Sequence, residues 1–158
     1  MAGPIGIGAF LLWPGGIYEA QAQGRGTLRS ITGTDPAADV EINETVPTGA
    51  RWDLWGFRSS LTTDINAATR QVHFVVDDGV NQLFDFPAAI TQIASLTRRY
   101  SMQHMGTAGV LTDIETAVNF NGPLRLAAGW RIRTVTTARQ VGDNWLAPQM
   151  LVEEWIEA

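Results

Sequence analysis

The chain has 158 residues, a net charge of -5 and no cysteine. That length fits one domain, able to bury roughly 70% of the surface its unfolded chain exposes, and without thiols there is no disulfide, thiolate metal site or cysteine nucleophile. The acidic balance weighs against nucleic acid as a direct partner, because phosphate binding needs a basic surface.

Residues 1–36 read as an N-terminal arm, rich in Gly, Ala and Pro and without a periodic element. Its charged side chains are Glu19, Arg25, Arg29 and Asp35. Ile5, Ile7, Phe10, Leu11, Leu12 and Trp13 form an apolar segment whose glycines deny it a stable isolated helix. Left in water it is an aggregation liability, so it is expected to dock on its own domain, on a sister subunit or on a different protein. These six residues are the candidate partner-binding set. Ala20-Gln21-Ala22 has the look of a signal-peptidase site, but no Lys or Arg precedes Ile5 and Pro14-Gly15-Gly16 breaks the apolar run, so a secretory signal is not expected. The segment from Gly3 to Gly8 lacks the lysine of a phosphate loop. No stretch reaches the roughly 18 apolar residues of a membrane span, and no membrane partner is expected.

Residues 37–158 read as one domain of strands and turns. Val40-Glu41-Ile42 begins a strand, and Val46-Pro47-Thr48-Gly49 is a turn. Trp52 to Thr63 is a long strand whose apolar register switches parity, which predicts a bulge near Gly56. Thr63 to Asn66 is a polar turn. Arg70 to Asp77 and Gln82 to Phe86 flank an Asp77-Asp78-Gly79 hairpin. Ala94 to Met102 is read as a strand, although Ile90, Ile93 and Leu96 would also suit a helix. Asp113 to Val118 is expected to be a helical turn or a loop. Leu124 to Leu126 and Trp130 to Thr137 are strands, Val141 to Asn144 is a turn, and Trp145 to Ile156 is a last strand or a pair broken at Pro148. Residues 46–54 and 126–134 echo one another, each a glycine turn before a strand that opens with Trp. Two equivalent corners of a double sheet would produce that echo. About eight short strands with regular turns predict an all-β fold, a jelly roll or related antiparallel β-sandwich.

Chemistry is sparse. His73 sits mid-strand and His104 in a turn expected to be exposed. Asp77 and Asp78 suit a hairpin better than a paired-carboxylate site, and Glu153 and Glu154 fall on opposite strand faces. No catalytic residue, metal or cofactor is expected. All eleven basic residues are arginine. This is either compositional bias or a preference for the planar fork that suits ion pairs at protein interfaces. The six tryptophans point to core or inter-subunit packing, with an exposed sugar-binding platform as the alternative.

From Val46 to Trp155, about 110 residues, the chain resembles small jelly-roll proteins encoded among tailed-bacteriophage structural genes. The resemblance is carried by residues 46–52 (VPTGARW), 70–79 (RQVHFVVDDG), 94–100 (ASLTRRY), 128–134 (AGWRIRT) and 148–155 (PQMLVEEW). It implies a virion component assembled in the host cytoplasm. Its form would be a capsid decoration, or cement, protein on the capsid surface, a homo-oligomer, most simply a trimer, clamping subunits of the major capsid protein. A tail or head-fibre adhesion domain and a carbohydrate-binding β-sandwich module are the alternative readings.

Overall fold

The computed structural model describes residues 26–104, 109–112 and 114–156, together with residues 12–13 and 16–17. Its strands are β1 (Leu12–Trp13), β2 (Gly16–Ile17), β3 (Thr27–Thr32), β4 (Asn43–Thr45), β5 (Ala50–Thr62), β6 (Gln71–Asp77) and β7 (Gln82–Pro87). They continue with β8 (Thr97–His104), β9 (Gly109–Thr112), β10 (Glu115–Phe120), β11 (Leu124–Leu126), β12 (Arg131–Thr137), β13 (Asn144–Trp145) and β14 (Gln149–Ile156).

Eight of these pair as a nested antiparallel ribbon: β3 with β14, β4 with β12, β5 with β8, and β6 with β7. Rolling the ribbon joins β14 to β5 and β12 to β6. The result is two sheets in the orders β3-β14-β5-β8 and β4-β12-β6-β7. Nested pairing of this kind is a jelly roll, and it leaves two four-stranded faces to pack on one core. β10 and β9 extend the larger sheet beyond β8; β10 runs parallel to β8, while every other pairing among the described strands is antiparallel.

β5 is the spine of the larger sheet. β14 and then β13 line one edge, and β11 and then β8 line the other. Ala50, Trp52 and Leu54 point into the core, and after the bulge Phe57, Ser59 and Leu61 do. Leu151 pairs with Gly56 and Val152 with Leu54, so Trp55 is the extra residue. The expected bulge therefore exists, and it re-aims the second half of the strand inward. Between the sheets, Phe57 meets Phe74 edge-on at 5.4 Å, Phe74 meets Tyr100 at 6.4 Å, and Tyr100 meets Trp145 at 5.5 Å. Each such large apolar side chain contributes about 1.5–3 kcal/mol on full burial.

Several elements differ from expectation. Residues 115–120 form β10, not a helical turn or loop: Thr116, Val118 and Phe120 are buried at alternate positions. Glu115, Ala117 and Asn119 have poor strand propensity and disguised that alternation. The strand expected from Val40 begins at Asn43, because the Ile42 amide bonds to Thr134 Oγ1 (3.0 Å) instead of entering a ladder. β8 begins at Thr97 and not at Ala94, since Ser95 takes a positive φ and the Leu96 amide bonds back to Thr63 Oγ1. β3 falls in the stretch read as featureless arm. Its side chains are exposed apart from half-buried Ile31, so no alternation betrays it. An Arg29–Glu154 ion pair and close backbone approach hold it in place. A Cβ on Gly26 would lie 2.7 Å from the Glu153 side chain and 2.8 Å from the Trp155 ring.

The two echoed corners do meet. The Val46 amide bonds to the Trp130 carbonyl (2.8 Å), and the Gly129 amide to the Val46 carbonyl (3.0 Å). Gly49 and Gly129 both take positive φ, as does Gly79 in the β6–β7 hairpin. In that hairpin the two aspartates have separate work. Asp78 caps the turn through the Val80 and Asn81 amides. Asp77 is buried and accepts from Arg131 Nε (2.7 Å), Arg133 Nε (2.6 Å) and the Gly79 amide. A Gly79→Val variant should lose about 1–2 kcal/mol of stability in urea titration through its positive φ alone, since a Cβ there meets no neighbour. An unchanged midpoint would contradict this.

Candidate functional site

The glycine corners occupy one end of the sandwich. The other end is built from four longer connections, at residues 33–42, 63–70, 88–96 and 138–143. Loops of this length need their backbone groups satisfied, and here one buried guanidinium does much of it. Arg70 is fully buried. Its Nε donates to Asp143 Oδ2 (2.9 Å). Its Nη2 donates to Asp143 Oδ1 (2.8 Å) and Asp64 Oδ1 (2.6 Å). Its Nη1 donates to the carbonyls of Asn66 (3.0 Å) and Ala68 (3.1 Å). One bond from Nε, two from Nη1 and two from Nη2 use all five guanidinium donors.

Asp143 is equally committed. Beyond Arg70 it accepts from the Asp64 amide (2.9 Å) and the Gln140 amide (2.9 Å), while its own carbonyl accepts from the Asp39 amide (2.8 Å). The Arg70 backbone exchanges both bonds with Gln92. The Gln92 side chain donates to the carbonyls of Leu61 and Leu96 and accepts from Tyr100 Oη (2.9 Å). Burial pushes the Tyr100 phenol up to about 12, so it is a neutral donor. The knot thus ties all four connections to the core, and Gly142 is pressed so close to Asp64 that a Cβ would sit 2.7 Å from its Cβ.

Loops locked in this way carry unusual residues. Among the described residues the non-glycine positive φ angles are at Asp39, Ser95 and Ala138, all on these connections. Strained dihedrals persist only where surroundings over-determine them, and they concentrate at functional places. The same loops expose aliphatic side chains: Ile65 at 85%, Val141 at 79%, Ile93 at 64% and Val40 at 48% of their full area. Arg70 and Asp143 have no free valence for a substrate, so their work is positional. What the end presents outward is a set of exposed aliphatic side chains on loops tied to the core.

The candidate residues singled out from the sequence fall elsewhere. Ile5, Ile7, Phe10 and Leu11 lie outside the described residues, and Leu12 and Trp13 are described only as backbone, pairing with Ile17 and Gly16. His73 bonds Asp85 (2.8 Å) on the outer side of the smaller sheet. His104 is half-buried and not exposed: its Nδ1 accepts from the Gly122 amide (2.9 Å), and its ring meets Trp55 at 5.3 Å. The two histidines therefore belong to separate local contacts. Trp52, Trp145 and Trp155 are buried and Trp55 and Trp130 half-buried, so none of these five forms an open platform. The indoles of Trp52 and Trp145 donate to Glu154 and Glu41 (3.0 Å each). Among the described residues no three His, Asp or Glu side chains gather closely enough to hold a metal ion. A groove of about 350 Å³ crosses the outer face of the larger sheet above Gly56; it is open, and its walls mix polar side chains such as Ser30, Arg58, Gln103, Glu115 and Gln149 with the apolar Leu151. The loop end was missed in sequence because its signals are split among segments far apart in the chain. The signal available was the run of uncharged loop residues bearing Ile and Val.

No protein-family model matches the chain, and neither a curated protein nor a solved structure does.

Burial alone would raise the Asp143 carboxyl, but the bonds from Arg70 and from the Gln140 and Asp64 amides outweigh it and hold its pKa below the ordinary carboxylate value. Asp77 and Glu154 are lowered in the same way by their arginine partners and, for Glu154, by Trp52 as well. A lowered folded pKa gives stability that is complete above the unfolded carboxylate value of about 3.9 and is lost as pH falls through the folded value. Melting temperature should therefore hold level from neutrality to about pH 5 and fall steeply below about pH 4. Asp143→Ala, which strands Arg70, should cost about 3–5 kcal/mol in urea titration at pH 7. A loss below about 1 kcal/mol would show that the knot is not what holds the loops.

Proposed function

We propose that the chain is a non-enzymatic virion protein of a tailed bacteriophage, a decoration or cement protein that clamps neighbouring capsid subunits. The observation that carries this reading is the loop end: apolar tips on rigid, strained loops make a binding surface and leave no reactive group in play. The jelly roll suits the role, as a fold used repeatedly in viral capsids, though it also serves lectins and enzymes. The strand and turn motifs from Val46 to Trp155 add the resemblance to phage structural proteins. In this reading the apolar arm segment Ile5–Trp13 holds the capsid, and sister subunits associate as a trimer.

The test is decoration of bare particles. Purified protein mixed with undecorated capsids should appear by electron microscopy at regular lattice positions. A variant lacking residues 1–16 should stay folded by circular dichroism and attach at least about tenfold more weakly, since several large apolar side chains are withdrawn. Copies confined to one vertex would favour the tail reading, and no attachment by the full chain would refute the virion role. Normal decoration by the deletion variant would rule out the arm as anchor.

A further inference from the structure

We infer that the groove beside β12 is a binding site for a carboxylate group, held by Arg131 and Arg133. The carboxylate belongs to a free organic acid or to an acidic side chain of another protein; the recognition chemistry is the same for both.

Ile132 and Thr134 of β12 are buried, so the alternating Arg131 and Arg133 project from the opposite side of the smaller sheet. Both turn to one carboxylate. Arg131 Nε donates to Asp77 Oδ1 (2.7 Å) and Arg133 Nε to Asp77 Oδ2 (2.6 Å). Asp77 is itself buried and accepts from the Gly79 amide, so it cannot turn away. Each guanidinium is thus anchored through Nε, and among the described residues none accepts from its Nη nitrogens. The two side chains remain 33% and 32% exposed. Their Nη donors are fixed before a ligand arrives, so binding orders little that was mobile.

Charge selects the ligand. One carboxylate cannot neutralise two guanidiniums, and the pair keeps a surplus positive charge. Arg125 and Asp53 show the balanced alternative, one guanidinium on one carboxylate through two bonds. A second carboxylate would cancel the surplus, and its two oxygens match the planar fork of an arginine. The groove holds about 440 Å³ and runs from Arg131 and Arg133 past Asn43 and Val40 to Asp39 and Arg139. There the imbalance reverses, because Asp39 and Glu41 share Arg139. The groove is therefore neutral as a whole and polarised along its length. That disfavours a polyanion lying in it and favours one carboxylate at the arginine end. A phosphate dianion would exceed the surplus charge. Half-exposed Val40 offers apolar contact to the rest of the ligand.

Titration of the full chain with sodium acetate, followed by nuclear magnetic resonance of the arginine Nε–H signals, tests this. The Arg131 and Arg133 signals should shift and saturate with a dissociation constant of about 10 mM. The Arg125 signal should not move, nor should any in sodium chloride at the same ionic strength. Arg131→Lys and Arg133→Lys keep the charge that Asp77 needs but remove the fork, and each should weaken acetate at least about tenfold. Arg125→Lys should leave it unchanged. Shifts that never saturate in wild type, or that Arg125 shares equally, overturn the site without reference to any variant. Folded lysine variants that bind acetate as wild type does overturn the role of the fork. Tighter binding of inorganic phosphate than of acetate overturns the choice of a carboxylate. A capped tripeptide with a central glutamate separates the sources: binding at least about tenfold tighter than acetate assigns the site to a protein side chain, and equal binding to a free acid.

Discussion

The bidentate bond between Arg70 and Asp143 is the constraint on which this jelly roll depends. A nested ribbon leaves long connections at one end, and those connections carry backbone amides and carbonyls that water alone would satisfy loosely. Arg70 and Asp143 draw four of them together, and Asp64, the Asn66 and Ala68 carbonyls and the Asp64 and Gln140 amides take up the rest of their hydrogen-bonding capacity. A buried ion pair is a weak source of net stability, because desolvation offsets most of the attraction. Its effect here is to choose one loop arrangement over many. Any alternative arrangement leaves a buried charge without its partner.

That choice explains where the strain sits. Among the described residues the connections away from the loop end take positive φ at glycine, at Gly49, Gly79, Gly109, Gly122 and Gly129. The loop end instead forces Asp39, Ser95 and Ala138 into the same region. Such residues are tolerable only because the knot and its neighbours fix them from several sides. The two ends of one sandwich thus differ in kind: one is closed by tight turns, the other is held in a defined shape and presents aliphatic tips. Carboxylates elsewhere follow the same pattern, with Glu41 and Glu154 each satisfying a buried tryptophan N–H while pairing with an arginine.

Much of the fold was legible in the sequence. The parity switch within residues 52–61 announced the bulge at Trp55, and Asp78-Gly79, Pro47-Thr48-Gly49 and Pro148 marked turns and breaks that exist. Local patterns carry such features because they arise from dihedral preference and alternation within a few residues. β3 was not legible, since an edge strand that buries only half of Ile31 has no alternation to read. The loop end was not legible either. Arg70 and Asp143 are separated by 73 positions, and each alone looks like an ordinary polar residue beside a turn. The arginine-only basic set was the nearest hint, since Arg29, Arg70, Arg99, Arg125, Arg131, Arg133 and Arg139 all pair with carboxylates.

Rigidity of the loop end is the property on which its role as a preformed surface turns. Native-state amide hydrogen exchange reads this directly, because protection measures the free energy of opening each bond. The amides of Asp39, Asp64, Gln92 and Ser95, although they lie in loops, should exchange nearly as slowly as those of β5 and β12. If they exchange as fast as exposed turn amides such as Asn81, the loops open independently of the fold, and the surface they carry is not preformed.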